Sequence, residues 1–345
     1  MTTSTTPQAA GQAGAPPEQT DLLRDITMIA TIRAFEERLK ELAAAEQVPG
    51  AVHLAAGHEA VAVGVCSVLD ERDHISSTHR GHGHALAKGC DAVALFEEVL
   101  GRAGGVCAGY GGSMHVADFE RGMLGANGVA GGGVPMACGA ALTAKYLATG
   151  GIAVAFLGDG AVNQGAVSES LTLAAVWDLP VVFVVEDNGY AQATGTPFHL
   201  QGIPVRQRGE AHGVPGRTVD GSDYFAVREA AAWAIGHARS GAGPALLECH
   251  VARLFGHMEG FDRQAYRGEG EIEREWLERD PLAVFRRLAT ERGLLLPAQI
   301  DAAVETAWQQ IAHASERALH APFPSAANLT QHVYATPIPV KETTS

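Results

Sequence analysis

Asp159 stands between two glycines, in Gly158-Asp159-Gly160, and Asn188 follows it 29 residues later in the run EDNGY. A carboxylate and a carboxamide oxygen are hard donors of the kind that hold a divalent cation such as Mg²⁺. Glycines beside them let backbone approach phosphate groups, and a helix that starts there favours anions at its N-terminus. Read together, the residues predict a clamp for a metal and a diphosphate. A lone Gly-Asp-Gly is most often only a turn. The partner Asn one strand–helix–strand unit away is what gives it meaning.

Other chemistries lack their residues. No Gly-Lys dipeptide is present, so there is no Walker A loop, and no complete GxGxxG, HExxH or GxSxG occurs. HRGHGH (79–84) invites a metal reading, but histidines two apart do not share a helix face, and no Cys or Asp lies at zinc spacing. His82 and His84 are left open between polar loop residues and site residues.

The elements that must position Asp159 and Asn188 are legible as alternating patterns. Residues 152–157 form a short apolar run that ends at Gly158, 163–176 read as helix, and 179–185 form a second apolar, β-rich run. Residues 226–239 read as helix and 245–251 as strand. Continuous apolar strands alternating with helices predict a parallel sheet covered on both faces, in which strand ends share one ligand-binding crevice. Upstream, Ile29, Ile32, Phe35, Leu39 and Leu42 mark one helix face, and a second helix is expected over 58–69. The glycine-crowded stretch 101–139 is expected to be a structured loop rather than a linker. The C-terminal third reads as helical: Asp280 caps a helix with Pro281 in its first turn, and Ile300, Val304, Trp308 and Ile311 form a stripe continued by Ser315 and Leu319. The expected organisation is a disordered tail over 1–20, one α/β domain over 21–330, and a C-terminal tail over 331–345.

Composition narrows the class. The 345 residues are 46% hydrophobic and 19% charged, enough for a large core and too apolar for a disordered polyelectrolyte. A formal charge of −14 disfavours a broad nucleic-acid surface. Five scattered cysteines without a CxxC argue against a disulfide scaffold or zinc ribbon and for a reducing compartment. With no basic secretory n-region and no apolar run near 18 residues, a cytoplasmic protein with neither membrane nor nucleic-acid partners is expected.

The Gly-Asp-Gly…Asn pairing resembles the thiamin-diphosphate-binding motif. The likeness extends through ISSTHRGHGHALAKG (75–89), GGSMHVADFERGMLGANGVAGGGVPMACGAALTAKY (111–146), GDGAVNQG (158–165), DLPVVFVVEDNGYA (178–191) and FGHMEGFD (255–262). In this order, over roughly 25–325, they resemble the α subunit of the dehydrogenase component of 2-oxo-acid and acetoin dehydrogenase complexes. The resemblance implies the thiamin-diphosphate-binding α/β fold, with thiamin diphosphate and Mg²⁺ as cofactors. It implies metal ligation by the side chains of Asp159 and Asn188 and by the Tyr190 carbonyl. Gly158, Gly160 and Ala161 would meet the diphosphate by backbone, Gly128 and Ala130 the aminopyrimidine, and Arg80 and Arg253 the diphosphate charge. His257 matches the histidine of the family's active-site loop and, with His79 and Arg80, is expected to act at the reacting centre. His79 stands where pyruvate dehydrogenases often carry Tyr. Met258 replaces the regulatory serine of animal pyruvate dehydrogenases, so phosphorylation is not expected there. Glu59, in GHEA, is not expected to activate the cofactor, because the family's activating Glu comes from the β subunit. His115 fits the pattern without an assignable role.

Beyond the first 20 residues there is room for one diphosphate module and no second α/β module. The cofactor is therefore expected at an interface with a β subunit, in an α₂β₂ assembly docked on a dihydrolipoamide acyltransferase core. The expected reaction cleaves acetoin or decarboxylates a 2-oxo acid and passes the acyl group to lipoamide. THRGHGH, LGANGxxGGG and FGHxEG look most like acetoin dehydrogenase, with pyruvate second and branched-chain 2-oxo acids third. Two features depart from the pattern: EDN where many relatives have ENN, and 195–217, which does not align. A non-catalytic subunit of the same fold is the alternative from another class, and the intact Asp159, Asn188, Arg80, Arg253 and His257 set argues against it. The missing GxGxxG argues against an NAD-binding domain.

Overall fold

The computed structural model describes residues 18–260, 264–331, 333 and 335. Most of the two expected tails, and Phe261 and Asp262 of the loop motif, lie outside the described residues. The first helix, α1 (Gln19–Ala44), begins inside the stretch expected as tail and buries Ile29, Ile32, Phe35, Leu39 and Leu42. It is followed by α2 (Glu59–Cys66), β1 (His74–Ser76), α3 (His82–Lys88), α4 (Ala92–Val99) and β2 (Met123–Gly125). Then come α5 (Gly133–Tyr146), β3 (Ala153–Gly158), α6 (Gly165–Val176) and β4 (Val181–Asp187). A two-residue ladder, β5 (Tyr190–Ala191) with β6 (Thr194–Gly195), leads into α7 (Thr196–His199) and α8 (Val205–Ala211). The chain continues through β7 (Gly216–Asp220), α9 (Tyr224–Arg239) and β8 (Ala245–His250) to α10 (Glu271–Glu278), α11 (Pro281–Glu291) and α12 (Pro297–Leu319).

Six strands form one parallel sheet in the order β2-β1-β3-β4-β8-β7. The alternation of side chains across a strand splits its core in two. Val154, Phe156, Val182, Val184 and Leu247 face one core with α1, α2, α9 and α12. Ala155, Leu157, Val181, Phe183, Val185 and Leu246 face the other, with α5 and α6. Both faces being apolar explains why the strands read as continuous runs.

Two expectations are corrected, and one open question is answered. The glycine-rich stretch is not loop throughout: from Gly133 it is helix, and Val134, Ala137, Cys138 and Ala141 are its buried face. The C-terminal stripe is built of smaller residues than expected. Ile300, Ala307, Ile311, Ala314, Ser315 and Ala318 are buried in α12, whereas Trp308 is 37% exposed. Small side chains let α12 lie close along α1, and the large indole stays at the edge. His82 and His84, left open from the sequence, start α3, and both are buried. Asp280 does cap α11, accepting from Leu282 N.

The remaining glycines have a distinct task. Residues 104–112 wrap the buried Glu98 carboxylate, which accepts from the N–H groups of Cys107 (2.7 Å), Gly109 (2.9 Å), Gly111 (2.6 Å) and Gly112 (3.0 Å). Donors from alternate residues can converge on one anion only when the backbone turns tightly, which glycine allows.

Candidate active site

β3 and β4 lie side by side and end at the same edge, Gly158 paired with Glu186. Asp159 and Asn188 therefore emerge together, as the spacing requires. They line a cavity of about 410 Å³. The same cavity is lined from the β3 turn by Gly158, Gly160 and Ala161, and beyond β4 by Tyr190. The segment before α3 adds His79 and Arg80, the glycine stretch adds Gly128 and Ala130, and the segment after β8 adds Arg253 and His257. Every residue singled out for the site from the sequence is thus brought to one cavity.

The two glycines of the β3 turn differ in what they permit. A Cβ on Gly160 would stand 2.7 Å from the Ala191 Cβ, so that position must be bare for β5 to close over the turn. A Cβ on Gly158 would meet nothing within 4 Å, so its bareness leaves open space along the cavity wall.

Charge is arranged in two zones. Burial, and then the charge of Asp187, push the Asp159 carboxyl up to about 7. Asp159 Oδ2 lies 3.1 Å from His199 Nε2. Asn188 Oδ1 accepts from Tyr190 N at 3.2 Å, which turns the Tyr190 backbone around it. Two buried guanidinium groups line the same cavity. Burial and the charge of Arg253 pull Arg80 down to about 9. Arg80 donates to Leu54 O (2.7 Å) and His257 O (2.9 Å), and Arg253 to Gln192 O (3.1 Å) and the Tyr266 hydroxyl. A diphosphate with its metal fits this donor set. The cation would hold Asp159 ionised, and the phosphate charge would relieve the repulsion between the arginines.

The remaining wall is imidazole. His53 and His79 stand edge to face with ring centroids 4.5 Å apart, and His53 and His257 are 4.9 Å apart. Burial and the Arg80 charge lower His53 to about 3 and His79 to about 2, so both rings are neutral near pH 7. Neutral rings offer hydrogen bonds without adding charge. In the cavity wall, Glu186 lies 3.3 Å from His84 Nε2 and 3.3 Å from His58 Nδ1. Burial pushes that carboxyl up, but the two histidines outweigh it and hold it well below the usual range.

Sequence reasoning missed His53, His58 and Glu186, which line the cavity from separate segments without a shared spacing. His82 is engaged elsewhere, between Glu36 (3.1 Å) and Ser113 (3.0 Å). Glu59 is outside the cavity lining. It binds Arg33 Nε at 2.7 Å and accepts from Gly57 N at 2.8 Å, ordering the start of α2. His115 packs under the cavity rim, its Nε2 3.3 Å from where a Gly128 Cβ would stand.

Residues 27–327 match the family described as dehydrogenase E1 component. The chain is 46% identical over 324 residues to the α subunit of acetoin:2,6-dichlorophenolindophenol oxidoreductase of Cupriavidus necator, covering 94% of this chain and 97% of that one. It is 47% identical over 306 residues to the Bacillus subtilis protein of the same name, covering 88% and 91%. The pyruvate dehydrogenase E1 component α subunit of Rhizobium meliloti is 38% identical over 273 residues, covering 79% and 78%. A match across most of the chain, on a parallel sheet whose strand ends carry the motif, has one reading. The chain belongs to the dehydrogenase E1 component family, oxidoreductases of the thiamin-diphosphate-binding fold that use this cofactor with a divalent metal.

Proposed function

We propose that this chain is the α subunit of an E1 component that cleaves acetoin oxidatively and passes the acetyl group to lipoamide. The observation that carries this reading is the cavity at the β3–β4 edge, lined both by oxygen donors and by buried guanidinium groups. The higher identity to the two acetoin-named relatives than to the pyruvate-named one favours acetoin. Pyruvate is the second reading.

Bound here, thiamin diphosphate would supply a nucleophilic carbon and a sink for the electron pair of the broken carbon–carbon bond. This chain's residues hold it. Asp159, Asn188 and the Tyr190 carbonyl are the metal ligands, hard oxygens suited to Mg²⁺. Arg80 and Arg253 neutralise the diphosphate, while Gly158, Gly160 and Ala161 meet it by backbone. Gly128 and Ala130, on the exposed rim, receive the aminopyrimidine. His79 and His257 present their rings to substrate oxygens, beside Arg80.

The partner is a β-type subunit in an α₂β₂ assembly, docked on a dihydrolipoamide acyltransferase core. The rim supports a shared cofactor site: Gly128, Val129 and Ala130 are all exposed at the cavity mouth. Titrating the co-produced assembly with thiamin diphosphate tests the proposal. Tight binding that requires Mg²⁺ is expected, with none for NAD. Binding of NAD, or cofactor binding indifferent to Mg²⁺, contradicts it.

A further inference from the structure

The carboxylate assigned above to the metal is itself gripped by a histidine. His199 is the last residue of α7, in the stretch 195–217 that matched no motif. Its side chain is 9% exposed and is absent from the cavity lining, yet its Nε2 lies 3.1 Å from Asp159 Oδ2. It therefore reaches Asp159 without itself lining the cofactor cavity.

The neighbours of His199 decide which of its nitrogens carries the hydrogen. Arg208, on α8, donates to Asn163 Oδ1 at 2.6 Å. A guanidinium can only donate, so Asn163 must turn its oxygen to Arg208 and its amide NH₂ to His199. There the NH₂ donates to His199 O at 3.3 Å and lies 3.5 Å from His199 Nδ1. Nδ1 is thus the accepting nitrogen, and Nε2 carries the hydrogen aimed at Asp159. The chain of donors runs in one direction, Arg208 to Asn163 to His199 to Asp159.

From this geometry we infer that His199 is a positioning residue for the metal-binding carboxylate. Donation to Oδ2 fixes the rotation of the carboxylate and leaves Oδ1 for the cation. A neutral donor does this without placing a second positive charge beside the metal. Outer partners of this kind orient ligands elsewhere, and their loss typically weakens metal binding 10–100-fold. Asn163 lies in the short turn directly after the Gly-Asp-Gly motif. The unaligned segment is thereby tied to the metal site, a role its sequence did not disclose. The inference rests on the reading of Asp159 as a metal ligand.

The test uses the assembly of this chain with its partner subunit, saturated with thiamin diphosphate, and Mn²⁺ as the probe. Free Mn²⁺ is followed by electron paramagnetic resonance, so no turnover is needed. His199→Leu removes the donor and is expected to weaken Mn²⁺ by ~10–100-fold. His199→Gln places an amide N–H near the former Nε2 and is expected to stay within ~3-fold of wild type. If the leucine variant does not assemble, His199→Asn, too short to reach Asp159, carries the same expectation. Unchanged Mn²⁺ affinity in the donor-less variant, or an equal loss in the glutamine variant, overturns the inference. Asp159→Asn binding Mn²⁺ like wild type would instead overturn the assignment of Asp159 itself.

Discussion

The Asp159 carboxyl is held near 7 by burial and by Asp187, so the protein alone does not favour its charge. A divalent cation supplies what is missing, and Asp159→Asn tests this with little change of shape. A loss of metal affinity of more than ~100-fold is expected, exceeding what removal of an outer partner costs. The imidazole wall makes a separate prediction about pH. His53 and His79 have folded values near 3 and 2, well below the usual 6.5. As pH falls below 6.5 the unfolded chain takes up two protons that the folded chain refuses, so stability falls as pH falls. Each histidine contributes up to about 1.4 kcal/mol per pH unit in this window. Urea midpoints between pH 7 and 4.5 should therefore fall less steeply for His53→Asn than for wild type, and parallel curves would contradict the assignment. The site was legible where residues sat in one motif on one strand end, as Asp159 and Asn188 do. His53, Glu186 and His199 were not, because each enters from a segment of its own and only the fold sets their distances.

β3 and β4 were readable because both faces of the sheet are covered and their runs are unbroken. The start of α5 was harder to see. Its glycines mask a helical period of Val134, Ala137, Cys138 and Ala141 that is present in the sequence. Glycine at position 133 sits in a tight contact: a Cβ there would stand 3.1 Å from both Ser76 Oγ and Ser77 O, so those neighbours would have to give by a few tenths of an ångström. The wrapped carboxylate of Glu98 was invisible, because an acid in an amphipathic helix normally faces water. Its four N–H bonds order the stretch that leads to the cavity rim. Glu98→Gln turns an NH₂ toward donors and removes charge-assisted bonds, at an expected cost of about 3 kcal/mol. Thermal melting and limited proteolysis within 104–112 check this. An unchanged midpoint with no new cleavage would show that the loop holds without the carboxylate.

The two faces of the sheet are covered unequally. One carries α9, with α2 packed on α9 and α1 and α12 in the same core, whereas α5, α6 and α8 cover the other. The outer side of α5 and α6 is apolar where a monomer's surface would be polar: Met136, Leu142, Leu173 and Trp177 are exposed, Val176 is 70% exposed and Tyr146 85%. Large apolar side chains exposed together on one helix pair are the signature expected of a contact surface. Val176→Asp with Tyr146→Asp is expected to leave the chain folded and to abolish its co-purification with the β-type subunit, read by size-exclusion chromatography. Retained assembly would move the interface elsewhere. No helix among the described residues is long and apolar enough to cross a membrane. Acetoin chemistry in this cavity depends on its metal clamp. The direct measurement is dichlorophenolindophenol reduction by the co-produced assembly, with thiamin diphosphate and Mg²⁺, given acetoin or pyruvate. Faster turnover of acetoin, abolished by Asp159→Asn, is the predicted result. Preference for pyruvate would contradict the substrate, and full activity in the Asp159→Asn assembly would contradict the site.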